Sequence, residues 1–156
     1  MRRDLRFKTL SEVEAELDRL DGQAIETTGK WSFYQILDHI AAGAEWAMSE
    51  APRGFAETGG SADLKPEIKR KFYERIARSG KIQAGVPNPN APDEFEDGDA
   101  AAQMTRLRAA LGRLKSHTAP FPGEHPFLGK LAPDEWRVWC AAHCAHHLGY
   151  ARIRGN

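Results

Sequence analysis

The segment from residue 136 to residue 154, WRVWCAAHCAHHLGYARIR, constrains this chain most. It carries three of the six histidines, both cysteines and two of the four tryptophans. Because it contains no proline and has one glycine near its end, we expect it to be helical. Four side chains with metal-binding atoms would then share an arc of about 100° on one face of the helix: Cys140, His143, Cys144 and His147.

Two histidines at positions i and i+4 of a helix can hold one metal ion between them. His143 and His147 have this spacing, so their imidazoles can converge on a single ion. His146 points well away from that face. A third ligand must come from elsewhere, and we expect His39, at the edge of the apolar stripe of an earlier helix, to supply it. Three neutral imidazoles leave a coordination position open, which is typical of catalytic rather than structural sites.

Each of these signals also has a simpler explanation. A lone histidine such as His39 beside an apolar stripe is more often a buried core residue, and many HxxxH pairs lie on protein surfaces. The HExxH signature of zinc proteases is absent, because Cys144 stands where that motif has glutamate. Two cysteines four positions apart on a helix have an awkward geometry for a disulfide. They are best explained as small buried residues, with metal ligation or a reactive thiol as the alternatives.

Length and charge limit the class of protein. The 156 residues are enough for one domain with a sizeable core, and we expect a single domain over residues 1–156. Lys plus Arg equals Asp plus Glu, at 22 each, which removes the usual electrostatic footprint of nucleic-acid binding. No apolar run is long enough to span a membrane, and the basic start lacks the apolar core of a signal peptide. We therefore expect a cytoplasmic protein without nucleic-acid or membrane partners.

The first third of the chain contains the signals of two helices. Thr9 or Ser11 can cap a first helix, whose first turns are rich in acidic residues and which should end at Asp21 and the following glycine. Ser32 can cap a second helix with an apolar stripe. This helix should end near Glu50, because a proline follows two residues later.

Three further helices are expected in the rest of the chain. Pro66 should open a short basic helix that ends at Gly80, and Asp97 or Asp99 should cap a long one. The last helix follows Ala132, a poor cap that lacks an acceptor for the free amides, at a cost of about 1 kcal/mol.

The connections between these helices are long and irregular. Residues 53–63, 81–99 and 117–132 show no periodicity, and no strand-like alternation persists anywhere. The stretch 81–99 is either a functional or mobile loop or one draped over the bundle. Four long helices and one short helix predict an all-α fold: a four-helix bundle with one additional short helix and long irregular loops.

Three stretches of the sequence resemble the DinB/YfiT-like superfamily of metal-binding four-helix bundles. WSFYQILDHIA at 31–41 is similar to the segment that carries the first metal histidine of that superfamily. HPFLGKLAPDEW at 125–136 is typical of a family within it that is catalogued only as a domain of unknown function. HCAHHLGY at 143–150 resembles the closing HxxHH pattern. The resemblance extends over essentially the whole chain and implies three metal ligands: His39, His143 and His147.

The resemblance also implies a nickel or zinc ion, often in a homodimer, and a small-molecule substrate. Some relatives resemble transferases that join a low-molecular-weight thiol to an electrophile, and others resemble hydrolases. An ion that lowers the pKa of a thiol suits the first reaction, and one that activates water suits the second. We therefore expect a divalent-metal-dependent transferase or hydrolase, with thiol transfer preferred by analogy. The alternatives are a non-catalytic bundle stapled by the ion, a small-ligand-binding protein, and a site without physiological metal.

Further residues have open roles. Asp38 and Glu45 share a helix with His39 but should face away from it, at about −100° and −120°, so no general base can be named. A fourth ligand from Cys140 or Cys144 would close the site and favour a structural role. Three tryptophans can wall a cleft but more commonly fill a core: Trp46, Trp136 and Trp139. Two histidines can reach a pocket mouth but more commonly cap a loop: His117 and His125.

Overall fold

A computed structural model describes residues 1–48, 64–82, 96–125 and 127–155. In this part the protein is mostly helical, with five helices and one two-stranded sheet. None of the helices described is long and apolar enough to cross a membrane. The helices are α1 (Leu10–Leu20), α2 (Phe33–Trp46), α3 (Pro66–Ser79), α4 (Ala100–Ser116) and α5 (Pro133–Leu148). The strands are β1 (Ile25–Thr27) and β2 (Ala151–Ile153).

Three helices begin at residues that the sequence predicted as caps. At α1 the hydroxyl of Thr9 accepts from the Glu12 backbone N–H at 3.3 Å, while the Glu12 carboxylate accepts from the Thr9 N–H at 2.9 Å. Ser32 and Gln35 make the same reciprocal pair at α2. Asp99 caps α4 through its carboxylate. These bonds satisfy amides that the start of a helix leaves unpaired.

The two helices that begin with proline also start where the sequence predicted. α3 starts at Pro66 and ends at Ser79, and the next residue, Gly80, has a left-handed φ of 66° that favours glycine. The expectation that this helix is the short one is wrong, because α3 has 14 residues, as many as α2, whereas α1 has 11. Ala132 offers α5 no side-chain cap, and the Glu135 carboxylate accepts from its backbone N–H at 3.1 Å.

The ends of two helices differ from the prediction. α2 ends at Trp46, before Glu50, which lies outside the described residues, as do 53–63 and most of 81–99. α5 was expected to continue to residue 154, but it ends at Leu148. The chain after it forms β2, which pairs antiparallel with β1. The fold therefore adds a small sheet to the predicted helices.

Arg3 fixes the carboxyl-terminal end of α5. Its guanidinium donates to the backbone carbonyls of Leu148 at 2.9 Å and Ala151 at 2.7 Å, and its backbone N–H donates to the Gly149 carbonyl at 2.8 Å. The last carbonyls of a helix have no partner within the helix and carry partial negative charge, so a cation stabilises them. The helix that carries two of the candidate ligands is thereby held at its end.

The core lies between α1, α2, α4 and α5. α2 packs most extensively on α4, and α5 packs on α1, α2 and α3. α1, α2 and α4 supply most of the largest fully buried side chains: Val13, Leu17, Leu20, Ile36, Leu37, Ile40, Leu107, Leu111 and Leu114. The contact between α2 and α5 is the one that positions the candidate site.

Candidate metal centre

Three histidine side chains converge where α2 packs on α5. His39 of α2 and His143 and His147 of α5 each offer one ring nitrogen, and these atoms lie within 4.8 Å of one another. The Nε2 atoms of His39 and His143 are 3.1 Å apart. The structure therefore brings together the three residues expected as ligands.

A glycine lets the two helices approach this closely. A Cβ atom at Gly43 of α2 would lie 3.0 Å from Cε1 and 3.1 Å from Nδ1 of His143. Trp139 stacks on the same imidazole, with ring centroids 4.7 Å apart and planes at 16°. The His143 ring is thus confined both by the α2 backbone at Gly43 and by Trp139.

Trp31 holds the other two imidazoles. Its ring is nearly parallel to that of His147, with centroids 5.4 Å apart, and tilted against that of His39 at 5.0 Å. Sequence reasoning treated Trp31 only as part of the start of the second helix and missed this role. The available signal was its place at the head of WSFYQILDHIA, eight residues before His39.

A cavity of about 830 Å³ adjoins the three histidines, all of which line it. Trp31 and Trp139 form part of the same wall. This volume lies within the range of pockets that hold small molecules, which is about 300–1,000 Å³. The imidazole nitrogens are therefore next to a space that is large enough for a small molecule.

The chain matches one known family over nearly its whole length. Residues 1–152 match the family described as "Protein of unknown function (DUF1569)". The chain belongs to this family. The expected membership of a family of unknown function is thereby confirmed. No curated protein and no solved structure matches the chain.

The DUF1569 match includes all five helices and all three converging histidines. It also includes Gly43, Trp31 and Trp139, which fix the orientation of the imidazoles. The candidate centre therefore lies inside the region by which the family is defined.

Burial keeps the three imidazoles of this DUF1569 protein neutral near pH 7. Loss of solvation lowers the pKa of His39 to about 4, although the neighbouring Asp38 carboxylate acts in the opposite direction. The pKa values of His143 and His147 lie well below the ordinary value, first because of burial and then because of the neighbouring imidazoles. A neutral imidazole is the form that binds a metal ion.

The acidic residues on the His39 helix face another partner. The guanidinium of Arg106 on α4 donates to both carboxylate oxygens of Glu45, at 2.7 and 2.9 Å, and also to Asp38. These ion pairs hold α2 against α4. As expected from their angles on the helix, Asp38 and Glu45 are directed to α4 rather than offered to the cavity as a base.

The two cysteines are buried and free. Burial raises the pKa of the Cys140 thiol well above its ordinary value and that of Cys144 to about 12. Within the described ranges, neither cysteine joins the three-histidine group. Both therefore belong to the core, the simpler of the explanations given for them above.

His125 has both roles considered for it. It lines the cavity, and its Nδ1 accepts from the backbone N–H groups of Phe127 and Leu128, each at 3.1 Å. Because Nδ1 accepts, the proton of the neutral ring is on Nε2, and this atom has no hydrogen-bond partner among the residues described. His117 lies outside the cavity wall and stacks on Phe121.

The remaining candidates divide between core and cavity. Trp46 and Trp136 are buried in the core, whereas Trp139 lines the cavity. His146, which was expected to point away from the ligand face, also lines the cavity and contacts the ring of His147, with centroids 4.7 Å apart.

Proposed function

We propose that this protein binds one divalent metal ion, nickel or zinc, through His39, His143 and His147 and acts on a small molecule in the adjoining cavity. The observation that carries the proposal is the convergence of three neutral imidazoles in the wall of a substrate-sized cavity. An ion held there supplies Lewis-acid chemistry to a bound molecule. The two helices and the stacked tryptophans orient the imidazoles.

The donor set fits such an ion. Zinc–nitrogen bonds of 2.0–2.1 Å place two ligand nitrogens of a tetrahedral site about 3.3 Å apart, close to the 3.1 Å between Nε2 of His39 and His143. The ligand nitrogen of His147 lies no more than 4.8 Å from those of His39 and His143. It therefore has to move by at most about 1.5 Å to reach the spacing of a tetrahedral zinc site. Three protein ligands leave one coordination position open for a substrate, which favours a catalytic over a structural role for the ion.

For the reaction we propose a DinB-like thiol-dependent transfer, or else a hydrolysis. Support comes from the resemblance of the three sequence stretches and from the helices, of which α1, α2, α4 and α5 would form the DinB-like bundle and α3 the addition. The preference for thiol transfer is an analogy between folds. A homodimer, a cytoplasmic location and the lack of nucleic-acid or membrane partners stay predictions.

The proposal is tested by the metal content of the untagged protein, measured by mass spectrometry. We expect close to one nickel or zinc ion per chain, and loss of this metal in the double variant His143→Ala/His147→Ala. The control is His117→Ala, which removes a histidine outside the cavity wall and should keep the metal. Circular dichroism establishes that each variant is folded.

Metal-free protein is expected to gain thermal stability from the ion. At a free metal concentration 100 times Kd, binding adds about 2.7 kcal/mol, which should raise Tm by about 8 °C for a chain of 156 residues. A parent protein that contains no metal and gains no stability from zinc or nickel would refute the proposal. The imidazoles would then be packing residues, and the hydrogen bond between Nε2 of His39 and Nε2 of His143 would satisfy one nitrogen of each of these two rings.

A further inference from the structure

The charged side chains that the structure describes in the cavity wall are all positive. Four cationic side chains line it, and no aspartate or glutamate of the described ranges does. The chain as a whole has a formal net charge of zero, so the excess of positive charge is local. The four cations are Arg2, Lys30, Arg75 and Lys81.

Three of these four cations lack a carboxylate partner in the described part of the chain. Lys81 forms an ion pair with Asp4 at 2.8 Å. A guanidinium nitrogen of Arg2 instead lies 3.1 Å from Nδ1 of His146, and Arg75 lies over the ring of Phe72 at 5.9 Å. No ion pair to Lys30 is formed among the residues described. By contrast, eight of the eleven described arginines outside the cavity wall are paired with carboxylates: Arg3, Arg6, Arg19, Arg70, Arg106, Arg108, Arg137 and Arg152.

Apolar side chains form much of the remaining wall. Phe72 lines the cavity while 45% exposed, which is unusual for a large apolar residue in this protein. Other apolar members come from four different parts of the chain: Trp31, Ile76, Phe127 and Trp139. A ligand that covers these surfaces must offer apolar area of its own.

We propose that the cavity binds an anion with an apolar body, its apolar part against Phe72 and Trp139 and its charge near Arg2, Lys30 and Arg75. Unpaired cations attract an anion and repel a cation, and neutral imidazoles do not offset them. The inference deepens the proposed function and rests on it only in treating this cavity as the substrate site.

The test compares three probes that share one apolar body and differ in charge: octanoate, octanol and octylammonium. Binding to metal-free and metal-loaded protein is measured by calorimetry. We expect octanoate to bind at least about tenfold more tightly than octanol and octylammonium to bind least. The preference for octanoate should weaken as salt rises, because exposed charges are screened.

A matched pair of double variants tests whether the cavity cations cause the preference. Lys30→Gln/Arg75→Gln is expected to weaken octanoate binding by about three- to tenfold and to leave octanol binding unchanged. Lys71→Gln/Arg78→Gln makes the same change in net charge on exposed residues of α3 that do not line the cavity. It should leave both affinities unchanged.

Three results would overturn the inference: equal binding of octanoate and octanol, equal losses in the two double variants, or a preference confined to metal-loaded protein. In the last case the ion, not the cations, would select the anion. Failure of the proposed function is separable. A charge preference in a protein that binds no metal leaves this inference standing, whereas metal binding without a charge preference refutes this inference alone.

Discussion

Replacement of Gly43 by alanine is expected to weaken metal binding by about 10- to 100-fold. Losses of this size are typical when a residue that orients a metal-binding side chain is changed. The new methyl group would lie 3.0 Å from Cε1 of His143, closer than carbon atoms ordinarily pack. The imidazole must then shift by a few tenths of an ångström, and Trp139, stacked on the same ring, opposes the movement. The free energy of unfolding should change by less than about 1 kcal/mol, because the cost of the close contact is offset by the higher helix propensity of alanine, which is worth about 1 kcal/mol.

Metal affinity is measured by competition with a chromophoric chelator, and stability by urea unfolding of the metal-free protein. The control is Gly112→Ala in α4, where an added Cβ has no described atom within 4 Å. This variant should gain about 0.5–1 kcal/mol of stability and keep its metal affinity. An unchanged metal affinity in Gly43→Ala would contradict the view that this close approach positions His143.

Acidification from pH 7 to pH 5 is expected to destabilise the metal-free protein by about 2 kcal/mol through His125 alone. Burial lowers the pKa of this side chain to about 3 from an ordinary 6.5. Below pH 6.5 the unfolded chain therefore takes up a proton that the folded chain does not. The stability is complete above that pH and is lost progressively as the pH falls towards the folded pKa. The lowered pKa values of the three converging histidines act in the same direction.

The contribution of His125 is isolated by His125→Asn. Asparagine supplies an oxygen that can accept from the backbone amides of Phe127 and Leu128, but it does not titrate. Urea unfolding at pH 7 and pH 5, with chelator present, should show a loss of stability smaller by about 2 kcal/mol in this variant than in the parent. The same pH dependence in both proteins would mean that His125 is protonated as readily in the folded state as in the unfolded chain.

Local signals predicted the helices well. Ser32 was predicted as a cap outright, whereas Thr9 and Asp99 were each one of two candidates, and Pro66 and Gly80 mark the two ends of α3 as predicted. The pairing of His143 with His147 follows from their spacing on one helix. The third histidine of the group did not follow from spacing, because the contact between α2 and α5 joins distant parts of the chain. His39 was expected from its place beside the apolar stripe of its helix, and the family resemblance supported that choice.

The features that sequence missed depend on contacts between distant residues. Three residues in each strand are too few to show alternation, and Ile25 meets Ile153 across most of the chain. The stacking of Trp31 on His147 also joins residues that are far apart in the sequence. The positive charge of the cavity wall is also invisible in a sequence with equal numbers of cations and anions, since it arises from which side chains the fold gathers.

His39 and His143 are 104 positions apart in the chain, so the three imidazoles can meet only after α2 and α5 have packed. Contacts between such distant segments form slowly, because a long loop must be closed first. An ion bound by all three histidines would therefore stabilise the finished fold and not the transition state that precedes it. In stopped-flow measurements, nickel or zinc is expected to slow unfolding and to leave the rate of folding unchanged.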